Sequence, residues 1–277
     1  MPLPLPKEIR SYNEAIAFLE ELRKGELYLF TQGITDRAHF RGEENMSYHL
    51  QPKLCRYGHS LSDLTAIEPA LMQEFKDALI SAGLYEHIQV GYLNYPFHEE
   101  WLLYQQAQHL GVATRFLDWT LKFEVALFFA CQSLTKTEGK VYVYFPKDAI
   151  FQADRLNDDY ARFHPTQITK PIFLNPSSLA DVNSMSKFAQ RFKARQHGRF
   201  LVTPLSITMS DMRPSIEHDN LFHTVLIPEH AKADIMNGIS QDGFTRNGLF
   251  LDDDPSVIQF KKTVAPIIDH LHKKYLE

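Results

Sequence analysis

The chain has 277 residues, 44% hydrophobic and 23% charged, with a net charge of −5. These values describe a folded globular protein, exclude a disordered or fibrous one, and leave room for one large domain or two small ones. The negative balance argues against nucleic-acid binding through bulk electrostatics but permits a local basic cleft.

Two cysteines, Cys55 and Cys131, stand far apart in unrelated contexts. That spacing argues against a disulfide framework, a zinc knuckle or a redox pair and suits a reducing compartment. The stretch Met1 to Glu8, MPLPLPKE, has no apolar h-region, so a signal peptide is not expected. The longest apolar run, Val125 to Cys131, is far below the roughly 20 residues of a membrane span. A cytoplasmic location without membrane association is expected.

In chain order, Ser11-Tyr-Asn-Glu14 reads as a capping box opening a helix that stops at Gly25, and Leu27-Tyr-Leu-Phe30 follows as a short strand. Arg41, in His39-Phe40-Arg41-Gly42, then falls at a strand end. Thr65-x-x-Glu68 offers a second capping box, which places Pro69 in a first turn. His98 to Leu110 reads as a helix capped by Gly111, followed by a tight loop, Val112 to Asp118. Thr120 caps a third helix, Leu121 to Leu134, whose all-round apolar character marks it as buried.

Lys140 to Phe145 alternates as a strand, whereas residues 146–180 read as an irregular, polar insertion. Strand signals return at Arg199–Thr203 and Phe222–Ile227, then helices at Ala231–Ile239 and Val257–Leu276, the last kinked near Pro266. No internal repeat or linker divides the chain.

Three separated stretches carry a family likeness: Phe40-Arg41-Gly42-Glu43; Gln108-His109-Leu-Gly111-Val-Ala-Thr114-Arg115-Phe-Leu117-Asp118-Trp119-Thr120; and Arg195-Gln196-His-Gly198-Arg-Phe200. Together they resemble the FRG domain. The family commonly carries proline where Ala113 stands, and Leu251-Asp-Asp-Asp254 differs from its usual proline-containing tail. The resemblance implies a single α+β domain with an ADP-ribosyltransferase-like β core, flanking helices and a buried central helix. On this reading 1–28 is an N-terminal helical segment, 29–262 the FRG domain and 263–277 the end of a C-terminal helix.

It also implies an NAD-dependent ADP-ribosyltransferase acting as an intracellular toxin or antiphage effector, with NAD as substrate, a macromolecular acceptor and an antitoxin protein as partner. Such chemistry needs an anchor for the diphosphate and groups that stabilise an oxocarbenium-like transition state. On this resemblance Arg41 is expected to clamp phosphate or ribose oxygens, and Gly42, next to the Phe40-Arg41 pair, to let the ligand approach the backbone. On the same resemblance Gln108, Thr114, Arg115 and Asp118 are the expected cofactor contacts, and His109 and Gln196 join Arg41 as the expected catalytic groups, Gln196 being able to hydrogen-bond without a fixed charge.

No Glu-x-Glu or Gln-x-Glu precedes a late strand, so the carboxylate stays open among Glu43, Glu44 and Glu217. For the acceptor, RNA or another nucleic acid comes first and protein second, because Lys187, Arg191, Lys193, Arg195 and Arg199 interleave with Phe188, Phe192 and Phe200. The alternatives are a solvated helix face there, a salt bridge of Arg41 with Glu43, Glu44 or Asp118, and an internal pair at Arg115. At the level of function they are a non-catalytic nucleotide- or partner-binding module, or a hydrolase or nuclease using His109 and Asp118. His98-Glu-Glu lacks a second zinc-ligand histidine, no glycine-rich phosphate loop occurs, and Cys131 and Cys55 read as core; no metal is expected.

Overall fold

The computed structural model describes residues 8–31, 37–85, 96–133, 137–145, 151–153, 163–169, 171–174, 196–209, 212, 222–250 and 254–277. Among the described residues seven strands form one sheet: β1 (His39–Glu43), β2 (Phe116–Thr120), β3 (Gly139–Tyr144), β4 (Phe151–Ala153), β5 (Ile172–Leu174), β6 (Gly198–Val202) and β7 (Phe222–Ile227), in the order β4-β5-β6-β2-β1-β3-β7. Every pair is antiparallel except β4 with β5. The helices are α1 (Tyr12–Thr31), α2 (Leu61–Ser81), α3 (His98–Leu110), α4 (Phe123–Cys131), α5 (Leu205–Thr208), α6 (Lys232–Gln241), α7 (Arg246–Phe250) and α8 (Pro255–Tyr275). The architecture is mixed α+β, and among the described residues no helix is long and apolar enough to cross a membrane.

Alternation along the strands sorts side chains into separate cores. Leu117 and Trp119 of β2, Tyr142 and Tyr144 of β3, Leu201 of β6 and Phe222 of β7 form an aromatic layer on one face. On the other, Phe116, Phe200 and Val202 pack with α2, α3 and α8, while Phe40, Val141, Val143, Val225 and Ile227 pack with α1, α4 and α6. Two helical layers thus meet over the middle strands. There the β1–β2 ladder has one Cα pair, Phe40 with Thr120, whereas β1 pairs with β3 along all five residues.

Helix α4 is the buried central helix, and two glycines let it lie on the sheet. A Cβ on Gly42 would overlap the Ala126 carbonyl oxygen and sit 2.8 Å from the Ala130 amide nitrogen; one on Gly139 would overlap the Ala130 carbonyl. Gly42 therefore serves helix-on-strand packing, a role that differs from the expected opening for a ligand.

Several sequence expectations are corrected. Helix α1 runs through Gly25 to Thr31, so Leu27–Phe30 is helical: one Gly costs about 1 kcal/mol, less than a break in a packed helix. Ser11 Oγ accepts from Glu14 N at 3.2 Å, but Glu14 accepts from Arg10 N. Helix α2 starts one turn earlier than expected, at a Ser60/Asp63 capping box, so Pro69 lies in its interior and Glu68 is free for another role. Thr120 stays in β2, where its hydroxyl accepts from Lys122 N at 3.0 Å. Arg41 lies mid-strand in β1, and Phe116 to Asp118 is a strand where a loop was expected, because β2 is covered on both faces and reads as neither alternating nor helical. The 146–180 insertion contributes β4 and β5. Helix α3 with its Gly111 cap (φ 93°) and β7 match expectation, and α8 runs through Pro266 as one helix.

Candidate functional site

A cleft of about 400 Å³ opens where the β1–β2 ladder stops. It gathers Phe40, Arg41, Gly42 and Glu43 from β1, Gln108 and His109 from the end of α3, Asp118 to Thr120 from β2, and Gln196, Gly198 and Phe200 around the start of β6. The three separated motifs converge on one site.

Arg41 organises its centre. Its Nε and Nη2 donate to Glu43 Oε1 at 2.9 and 2.7 Å, and Nη1 donates to the Asp118 main-chain oxygen at 2.6 Å. The side chain thus bridges β1 and β2 where backbone pairing has ended. Only 14% of it is exposed, and 8% of Glu43.

A polar relay orients the opposite wall. Thr114 Oγ1 donates to Gln108 Oε1 at 2.6 Å, and Gln108 Nε2 donates to Asp118 Oδ2 at 2.6 Å. Thr114 also accepts from Phe116 N at 3.1 Å, so the turn leaving α3 dictates which amide end meets the carboxylate. His109 packs edge-on against Phe200 at 5.2 Å. Burial pushes its pKa down, against the pull of Asp118, which keeps the ring neutral near pH 7. Gln196 is tied to the rim: its side-chain Nε2 donates to Leu249 O at 3.1 Å, and its main-chain oxygen accepts from Thr120 Oγ1 at 2.6 Å.

Aromatic rings supply the apolar wall. Phe129 of α4 meets Phe250 of α7 edge-to-face at 5.8 Å, and Trp119 and Phe200 line the same space. The loop after β1 brings Glu44 and Tyr48 to the cleft, and two buried lysines hold it from beneath. Lys232 Nζ donates to Glu44 O at 2.7 Å, and Lys140 Nζ to Met46 O at 2.8 Å.

Of the residues singled out from sequence, Phe40, Arg41, Gly42, Gln108, His109, Asp118 and Gln196 line the cleft. Thr114 and Arg115 do not. Thr114 is fully buried beneath Gln108, and Arg115 points into the core, where its guanidinium pairs with Glu68. Thr114 and Arg115 thus correct the expected cofactor contacts: one positions Gln108, and the other is the internal pair weighed as an alternative. Glu217 and the basic residues 187–195 lie outside the described residues. Sequence reasoning missed Tyr48, Arg56, Phe129, Phe250 and Lys261. They come from separate elements with no shared motif, so only the folded arrangement unites them.

Cys131 is buried on α4, and burial raises its thiol to about 12, far from nucleophilic range. Among the described residues no group of His, Cys, Asp and Glu is placed to hold a metal ion.

Against known families, a match covers two of the three motifs of this cleft. Residues 36–139 match the FRG domain. The FRG-matched segment runs from before β1 to the first residue of β3, so it contains Arg41, the Thr114–Gln108–Asp118 relay and α4. The Gln196–Phe200 wall, Phe250 and Lys261 lie beyond it. Comparison with curated proteins and with solved structures returned no match.

Proposed function

We propose that the cleft binds NAD and transfers its ADP-ribose to a macromolecular acceptor, nucleic acid ahead of protein. The observation that carries this reading is the convergence on one cleft of a strand-bridging arginine, two carboxylates and a histidine kept neutral by burial, beside an aromatic wall. Rings suit the nicotinamide and adenine faces, and the guanidinium suits phosphate or ribose oxygens.

In the proposed step the bond between ribose C1′ and the nicotinamide nitrogen breaks, and its electron pair neutralises the pyridinium. Acceptor oxygen or nitrogen bonds C1′ and yields its proton to His109. Glu43 or Asp118 stabilises the positive charge that develops on the ribose. Arg41 and Gln196 hold the substrate in line. Action as an intracellular toxin, with an antitoxin protein as partner, belongs to this same reading.

One observation favours a second reading, a non-catalytic nucleotide-binding module: Arg41 is already engaged by Glu43 and the Asp118 carbonyl. Incubating the protein with labelled NAD and separate pools of RNA, DNA and protein decides between them. The transferase reading expects label in one pool, lost in an Arg41→Ala variant that stays folded at the assay temperature although its melting temperature falls, since Glu43 and the Asp118 carbonyl lose their donor. NAD binding with neither label transfer nor NAD consumption establishes the module.

A further inference from the structure

The cleft has a neighbour. A second chamber of about 460 Å³ shares Arg41, Arg56, Gln108 and Asp118 with it and is otherwise lined by Gln51 to Lys53, Tyr57, Gly111, Val112, Phe116 and Leu117. Nothing in the transfer chemistry above uses Lys53 or Arg56.

Both sit on one turn of 3-10 helix, Lys53–Tyr57. With three residues per turn, positions i and i+3 eclipse, so Lys53 and Arg56 share a face while Leu54 and Cys55 are buried behind them. The turn is fastened to the end of α3: Leu54 N donates to Thr114 O at 3.3 Å, and Lys53 Nζ to Gly111 O at 2.9 Å. Arg56 donates from Nε and Nη2 to Gln51 O, at 2.9 and 2.7 Å.

These bonds go to carbonyl oxygens and leave both cations without a carboxylate at ion-pair distance among the described residues. Arg41 in the shared wall is matched by Glu43, and Asp118 is bound by Gln108 Nε2. With Glu43 set against Arg41, the chamber gathers three cations against two carboxylates, Glu43 and Asp118, a surplus of one positive charge that an anion relieves. Burial, with Arg41 nearby, lowers the Arg56 pKa, and burial with Arg56 nearby lowers that of Lys53.

We propose that Lys53 and Arg56 form a phosphate-ester subsite that opens into the cleft through the wall shared with Arg41. Arg56 Nη1 and the remaining Nζ hydrogens of Lys53 supply donors for phosphate oxygens. The phosphate is either the diphosphate of a dinucleotide lying across both chambers or a backbone phosphate of an acceptor strand. The subsite stands on its own charges and does not require turnover.

The test is calorimetric titration of the full chain with inorganic pyrophosphate at low salt, where such contacts are least screened. Wild type is compared with Lys53→Gln and with the double variant Lys53→Gln/Arg56→Gln. Pyrophosphate affinity is expected to fall about tenfold in the double variant and about threefold in Lys53→Gln, with melting temperatures retained. The single variant keeps the test valid if loss of the Arg56–Gln51 contacts unfolds the double one. Absence of pyrophosphate binding to wild type, or equal affinity in the variants, overturns the subsite.

Parallel titrations with NAD and with a single-stranded oligonucleotide lacking terminal phosphates name the source. A loss for NAD identifies the diphosphate, and a loss for the oligonucleotide alone identifies the strand. Pyrophosphate binding that depends on Lys53 in a protein that neither binds nor consumes NAD would retain the subsite and remove the transferase reading.

Discussion

Arg115 and Glu68 lie 47 positions apart and form a fully buried, two-pronged ion pair, the Arg115 Nε donating to both Glu68 oxygens at 2.8 and 2.9 Å. The pair joins α2 to the residue before β2 and so fixes the turn from which Gln108 and Asp118 diverge. Removing one partner leaves the other charge buried without compensation. Arg115→Met and Glu68→Gln are each expected to lower stability by about 3–5 kcal/mol in denaturant titrations. A double Arg115→Met/Glu68→Leu variant is expected to recover part of that loss.

Gly42→Ala tests the helix-on-strand contact. Because the new methyl meets α4 backbone atoms, which cannot rotate away, the expected cost is about 3 kcal/mol or more, seen as a lower melting temperature. A glycine used only to admit ligand would give a normal melt with weakened binding.

Arg41→Lys retains the charge but not the fork that spans Glu43 and the Asp118 carbonyl. Transfer or ligand binding is expected to fall at least about tenfold, with stability reduced by roughly 1 kcal/mol, since one ammonium cannot reproduce both contacts. Kinetics or ligand titration alongside a melting curve separates the two effects.

His39, 4% exposed, donates from Nδ1 to Arg37 O at 2.9 Å and packs on Phe173 at 4.5 Å. Burial depresses its pKa to about 3. The folded state therefore binds fewer protons than the unfolded chain below the ordinary histidine pKa of about 6.5, and stability falls as pH drops from there toward 3. Its share of the loss between pH 7.5 and 5.5 is roughly 1 kcal/mol. Denaturant titrations at both values check the fall, and His39→Gln is expected to flatten it.

The sequence was enough for the local structure with a local cause. The α3 helix ends where Gly111 takes a left-handed backbone, β7 follows from its run of β-formers, and the apolar stretch around Val125 to Cys131 forms the central buried helix. It was also enough to mark Arg41, Gln108, His109, Asp118 and Gln196, which fall in short, unusual combinations of residue types. Only tertiary structure decided what each group faces. Arg115 and Asp118 stand three residues apart in one motif, yet one pairs in the core with Glu68 while the other opens on the cleft. That division depends on which partner lies across each strand face. Lys53 and Arg56 carry no motif at all, and they matter because a single turn of 3-10 helix aligns them beside Arg41. Charge meets charge through space, and the separation along the chain does not set that distance.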